Sequence, residues 1–229
     1  MKIDVLQLLD GAAEAKGITV IIDVFRAFTV EPFVFSRHAA SLLAIGEVET
    51  ARAIKQKNPD TVLIGERHGL KCEGFEFGNS PSAIASAELS GRSVVHTTSA
   101  GTQGLTVASN AERIFTGALV NASATARKIL FLHPDHVSLV CMGWEGKRPT
   151  EEDTLCAEYL RSLLEGHPMK DIQEKAEELK FTEGKKFFDP AQAEAFPASD
   201  FPCCIDIDRF DFAIEAIRSQ DGFVMKKVR

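Results

Sequence analysis

Seven apolar runs of strand length punctuate the chain: IDVLQLL (3–9), ITVIIDV (18–24), SLLAI (41–45), TVLIG (61–65), SVVHT (93–97), RIFTGA (113–118) and VSLVCM (137–142). Runs that are apolar throughout belong to strands buried on both faces. Between them, EVETARAIKQK (47–57) and NASATARKILFL (121–132) read as helices. Strands alternating with helices predict an α/β fold, a three-layer αβα arrangement around a mostly parallel or mixed sheet. Past Gly143 the pattern changes. It predicts amphipathic helices near 150–165 and 168–180, a Phe- and Pro-rich stretch (187–202), a helix near 208–218 and a last strand, GFVMKKV. This is a C-terminal helical elaboration. No internal repeat or low-complexity linker interrupts the chain, so a single domain over 1–229 is the simplest account.

Composition narrows the class. Of 229 residues, 45% are apolar and 26% charged, as in an ordinary soluble globular protein. No apolar run approaches the roughly 20 residues that span a bilayer. Charges come too early in MKIDVLQLLDGAAEAKG for a secretory signal. The five cysteines (Cys72, Cys141, Cys156, Cys203, Cys204) are odd in number and show no C-x-x-C spacing, which predicts reduced thiols in a cytoplasm. The net charge of −7 argues against broad nucleic-acid binding, and nothing supports a membrane role. No residue pattern requires a particular oligomer; a homodimer is one state the chain could take.

In open α/β sheets ligands bind beyond the carboxyl ends of the strands. Four of the predicted strands run into polar loops there. After 18–24 comes Asp23 with Arg26 three residues on. A carboxylate there can hold Mg²⁺ or attack phosphorus, and the arginine can grip phosphate; an N-cap and a surface charge would look the same. After 61–65 comes GERHGLKCEGFEFGNSP, long, glycine-rich and charged. Glu66 can bind a metal, and Arg67, His68 and Lys71 can bind anions. Asn79 and Ser80 can orient a ligand or cap the next helix, while Phe75 and Phe77 anchor the loop to the core. After 93–97, Thr97, Thr98, Ser99 and Thr102 offer hydroxyls, and Ala100 and Gly101 allow close approach to the backbone. That is a cradle for phosphate or carboxylate, or a plain helix cap. After 137–142, Thr150 and Asp153 form a variant capping box at a helix start, with Glu152 and Asp153 as candidate metal ligands. Cys141 lacks an Arg at the spacing of a cysteine-dependent phosphatase and reads as a buried strand residue.

Together, IDVFRAFT, GERHGLKCEGFEFGNSP, TTSAGT and GWEGKRPTEEDTLCA, with a weaker echo in TGALVNASA, resemble the 2-phosphosulfolactate phosphatase family of coenzyme M biosynthesis. The resemblance covers about residues 20–160. It implies a Mg²⁺-dependent phosphatase on an α/β fold, hydrolysing (2R)-2-phospho-3-sulfolactate to 3-sulfolactate and phosphate. The chain departs from the family at Ala100, where an Asn is usual, and at Phe25-Arg26-Ala27-Phe28, where Leu-Arg-Ala-Thr is usual. So anionic a substrate needs local compensation from an acidic protein, and Mg²⁺ with basic side chains would provide it. The roles that follow are expectations. Asp23 binds Mg²⁺ or acts as nucleophile, and Glu66 and Asp153 support the metal. Arg26 and the Thr97, Thr98, Ser99, Gly101, Thr102 loop hold phosphate. Arg67, Lys71, Asn79 and Ser80 hold the carboxylate or sulfonate. Two alternatives stay open: a phosphatase of the same fold acting on another small phosphorylated acid, and a non-catalytic binder of an anionic metabolite.

Overall fold

The computed structural model describes residues 1–229. Its first half runs β1 (Lys2–Gln7), α1 (Leu8–Glu14), β2 (Gly17–Ile22), α2 (Ala27–Ser36), β3 (Ser41–Ala44), α3 (Val48–Lys57), β4 (Val62–Arg67), β5 (Leu70–Lys71), α4 (Pro81–Ala85) and β6 (Ser93–Thr97). The second half runs α5 (Gly101–Val107), β7 (Ala111–Gly117), α6 (Ala122–Phe131), β8 (His136–Cys141), α7 (Glu151–Leu164), α8 (Ile172–Glu178), α9 (Asp200–Cys204), β9 (Ala213–Arg218) and β10 (Phe223–Val228). Short 3₁₀ segments fill part of the stretch between α8 and α9, including Glu183–Phe188.

The ten strands form one mixed sheet in the order β1-β8-β2-β7-β9-β10-β3-β6-β4-β5. Strands are parallel within each of two arms, β1-β8-β2-β7 and β3-β6-β4, and the three antiparallel pairings between the arms leave them running in opposite directions. The antiparallel β9–β10 hairpin joins them in the middle. Helices on both faces make the three-layer α/β fold predicted from the alternation. One apolar cluster, containing Ile21, Phe33, Leu42, Ile64, Leu105, Ile214 and Met225, draws on both arms and on the helices over that face. On the other face each arm has a separate cluster, one under α6 and α7 and one under α3.

The strand order separates β2 from β6 by four strands. At about 4.8 Å per strand, a flat sheet would hold their ends more than 20 Å apart. Yet the start of α5, just past β6, touches Asp23, just past β2: a Cβ on Gly101 would lie 3.1 Å from Asp23 Oδ2 and 2.9 Å from the Phe28 ring. The sheet therefore curls until the exit loops of the two arms meet, and Gly101 permits the approach.

Three boundaries differ from the sequence reading. The segment near 208–218 is not a helix; residues 213–218 are the strand β9. Its Ala and Glu residues are good helix formers, but β7 and β10 flank it, and Glu215 pairs across the sheet with Arg113 at 2.7 Å. The first strand ends at Gln7, and Leu8 opens α1. The predicted helix 168–180 shortens to 172–178 before a 3₁₀ turn. As the sequence suggested, Cys141 is fully buried and Phe75 lies in the core.

Candidate functional site

The loops leaving β2, β4, β6 and β8 surround a cavity of about 50 Å³. Its polar wall is Asp23, Arg26, Glu66, Asn79, Ser99 and Ala100; its apolar wall is Phe25, Trp144 and Phe196. At the mouth His68 Nδ1 meets Glu145 Oε1 at 2.5 Å, linking the β4 and β8 loops. Gly69 follows with φ +81°, and a Cβ there would strike the Phe196 ring at 2.6 Å, so both the turn and the contact require glycine.

The two inner carboxylates differ. Glu66 is saturated: it accepts from Ser99 N–H (2.7 Å), Ser99 Oγ (3.1 Å) and Gly69 N–H (2.8 Å). Asp23 Oδ1 accepts one amide, Ala27 N–H, at 3.1 Å, and no basic side chain pairs with it. Burial pushes the Asp23 carboxyl up to about 7; the Ala27 amide and Lys186 oppose the shift, and the charge of Glu66 adds to it. Arg26 Nη1 donates to Asp200 at 2.6 Å, in a pair with almost no exposure, and Nη2 donates to Gly69 O at 3.3 Å. The guanidinium lies 4.7 Å from the Phe196 ring centroid. Ser80 Oγ, Ser82 Oγ and Ser82 N–H bond the other Asp200 oxygen. Asn79 Oδ1 is held by His96 Nε2 at 2.7 Å, and His96 leads on to Glu31 and Thr116. Its amide nitrogen is left for a ligand.

Of the residues nominated from sequence, Asp23, Arg26, Glu66, Asn79 and Ser99 line this cavity and Gly101 abuts Asp23. The others stand outside it. Arg67 donates to Glu66 O, Gly46 O and Thr97 Oγ1, all at 3.0 Å or less. Neighbouring strand residues point to opposite faces, so Glu66 facing the cavity sends Arg67 away. Lys71 is exposed on the edge strand β5. Ser80 caps α4, accepting from Ala83 N–H at 3.3 Å. Thr97 donates to Gly46 O. Thr98 and Thr102 bond one another and close the turn. Asp153 accepts Val24 N–H and Gly143 N–H, each at 2.8 Å, and so ties the exits of β2 and β8 together. Burial, with the charges of Glu152 and Asp23 adding, raises its carboxyl well above the usual range. The capping box does not form: Thr150 makes no capping hydrogen bond, and the Asp153 carboxylate, spent on those two amides, does not reach back to Thr150 N–H.

The side chains around the cavity suit Mg²⁺ in one mode of binding. No group of three or more His, Cys, Asp or Glu side chains stands ready to hold a metal. Magnesium, however, keeps several waters and is usually held by one or two carboxylates plus substrate phosphate. Asp23, uncompensated and next to Glu66, fits that mode; a closed all-protein cage does not.

Sequence reasoning missed Phe25, Trp144, Phe196 and Asp200. The last two come from the Phe- and Pro-rich stretch, whose aromatic density was its only local signal.

The chain is similar in sequence to proteins of a named family. The family model described as 2-phosphosulpholactate phosphatase matches residues 4–215. A Bacillus subtilis protein named "Probable 2-phosphosulfolactate phosphatase" is 31% identical over 210 residues, 90% of this chain and 89% of that one. Proteins with the same name from Caldicellulosiruptor saccharolyticus and Thermoplasma acidophilum are 40% and 38% identical, over 63% and 69% of this chain. The matches span 61% of the Caldicellulosiruptor protein, under two thirds of its length, and 69% of the Thermoplasma one.

Proposed function

The chain belongs to the 2-phosphosulfolactate phosphatase family, and we propose that it carries the activity of that name: Mg²⁺-dependent hydrolysis of the phosphate monoester of 2-phospho-3-sulfolactate to 3-sulfolactate and phosphate. One observation carries the reading. Loops from two distant arms of the sheet converge on a single cavity that places Asp23, Arg26, Glu66, Asn79 and the Ser99–Ala100 turn together.

The phosphate end fits the polar wall. Arg26, fixed by Asp200, turns its remaining N–H groups to the phosphate oxygens. Asn79, fixed by His96, offers its amide nitrogen. The Ala100 N–H has no backbone acceptor and borders the cavity, where it stabilises charge on an equatorial oxygen. Phe25, Trp144 and Phe196 exclude bulk water and strengthen these interactions. Asp23, with Glu66 beside it, would hold Mg²⁺. When bound, such an ion polarises the phosphoryl group and acidifies a water. Overall, a water oxygen bonds to phosphorus, the ester P–O bond breaks, and the water's proton ends on the sulfolactate oxygen.

A second reading, that the chain hydrolyses another small phosphorylated acid, draws on one observation. Arg67 and Lys71, assigned from sequence to the carboxylate and sulfonate, do not face the cavity. The test is phosphate release from racemic 2-phospho-3-sulfolactate and from a panel of phosphorylated hydroxyacids, with Mg²⁺ and with chelator. Release that needs Mg²⁺ and favours the sulfonated ester supports the proposal. Release from another ester alone transfers it to the second reading. No release from any of them, with saturable thermal stabilisation by the esters, supports a binder.

A further inference from the structure

With Arg67 and Lys71 turned elsewhere, the apolar wall packs against a second cation besides Arg26, one that the sequence did not single out. Lys186 lies in the 3₁₀ segment Glu183–Phe188. Its Nζ stands 4.8 Å from the Trp144 ring centroid, 5.2 Å from Phe196, 5.5 Å from Phe25 and 5.9 Å from Phe187. Trp144, Phe196 and Phe25 also line the cavity, so Lys186 packs on the same rings that the ligand space does. Trp144 and Lys186 together border an outer cleft with Arg148, Thr182 and Glu183. Among the acids near Lys186, Glu183 is taken by Arg148 at 2.5 and 3.0 Å, and Oε2 of the buried Glu152 has no partner at all. Arg26, the other cation at the cavity, is committed to Asp200. Lys186 is thus a cation caged by rings and free of an ion pair.

We propose that Lys186 is the specificity residue of this site, binding the sulfonate of the substrate. The inference rests on the substrate class proposed above. The cavity of about 50 Å³ falls far below the ~300 Å³ at the low end of ligand pockets, so it takes the phosphate end and the rest of the ligand extends past it. Trp144 borders both this cavity and the outer cleft that Lys186 lines, so extension past Trp144 brings the ligand to the side of Lys186. A sulfonate spreads one charge over three oxygens and is weakly hydrated. It therefore loses little on meeting an ammonium already partly stripped of water by aromatic faces.

The test compares wild type, Lys186→Met and Lys186→Arg on 2-phospho-3-sulfolactate and on 2-phospholactate, which lacks the sulfonate. Lys186→Gln replaces the Met variant if that variant does not fold. The expected result is a rise in KM of about tenfold or more on the sulfonated ester, kcat changing less, a several-fold smaller effect on 2-phospholactate, and recovery in the Arg variant. An equal loss on both esters, or none on either, overturns the proposal. If wild type hydrolyses neither ester, the phosphatase reading fails separately. Lys186 is then judged by calorimetric binding of 3-sulfolactate against lactate. Preference for the sulfonate in wild type, lost in Lys186→Met, sustains the assignment; no preference in wild type ends it.

Discussion

Each arm of the curled sheet delivers one buried carboxylate to the same cavity, and the two arms treat it in opposite ways. The β4–β6 arm surrounds Glu66 with two amides and a hydroxyl, and anchors the adjacent Arg67 on carbonyls and Thr97. The β2–β8 arm leaves Asp23 with one amide bond, from Ala27 at 3.1 Å, a weaker approach of the Gly101 amide, no basic partner and a carboxyl pushed up to about 7 by burial. The nearby Asp153 shows that this arm can saturate an aspartate when it serves as a tie between strands. The contrast separates frame from chemistry. A carboxylate whose hydrogen bonds are complete holds loops in place, whereas one left short stores unfavourable energy that a ligand or cation relieves.

The comparison is broken most severely by Asp23→Asn. We expect phosphatase turnover to fall on the order of 10³-fold, about 4 kcal/mol of barrier, while the melting temperature holds or rises, since the amide removes a buried charge. A matching loss of stability would make Asp23 part of the frame. Next comes the clamp on Arg26. Asp200→Ala leaves the guanidinium buried and unpaired, and denaturant unfolding should show a loss of ~3 kcal/mol or more. Asp200→Asn, which keeps the serine contacts, should lose less. Glu66→Gln replaces an acceptor by a donor facing Gly69 N–H or Ser99, at ~1–3 kcal/mol of stability. In that variant, unlike Asp23→Asn, stability and turnover should fall together.

The smallest effect is a pH dependence in α7. Burial raises the Glu152 carboxyl to about 7, against the pull of Lys186. A carboxyl raised on folding binds its proton more tightly in the folded state. Its contribution is therefore complete below the ordinary range near 4.5 and is lost as pH climbs through about 7. Glu152→Gln should gain stability over wild type by ~1 kcal/mol at pH 8 and show no gain at pH 5. Thermal melts at the two pH values read the difference.

The parts of this picture legible from sequence are those fixed locally. Continuous apolar runs announced the strands, and the polar loops behind them announced where Asp23, Glu66 and Ser99 would lie. Long-range features stayed hidden. β9 carries a helix-friendly sequence, and its strand state comes from β7 and β10 on either side. Nothing next to Asp200 or Lys186 in sequence signals that α9 and a 3₁₀ segment will fold back against the exit of β2. Charge alone nominated Arg67 beside Glu66, and the two-residue period of a strand allows only one of them to face the cavity.

The central claim is that Asp23, the short-changed carboxylate of the β2–β8 arm, is where the chemistry resides. Its most direct test is phosphate release from 2-phospho-3-sulfolactate by wild type and Asp23→Asn across a Mg²⁺ titration. We predict saturable release by wild type, abolished by chelator, and almost none by the variant at any Mg²⁺ concentration. Wild-type turnover in a folded Asp23→Asn protein would contradict the account.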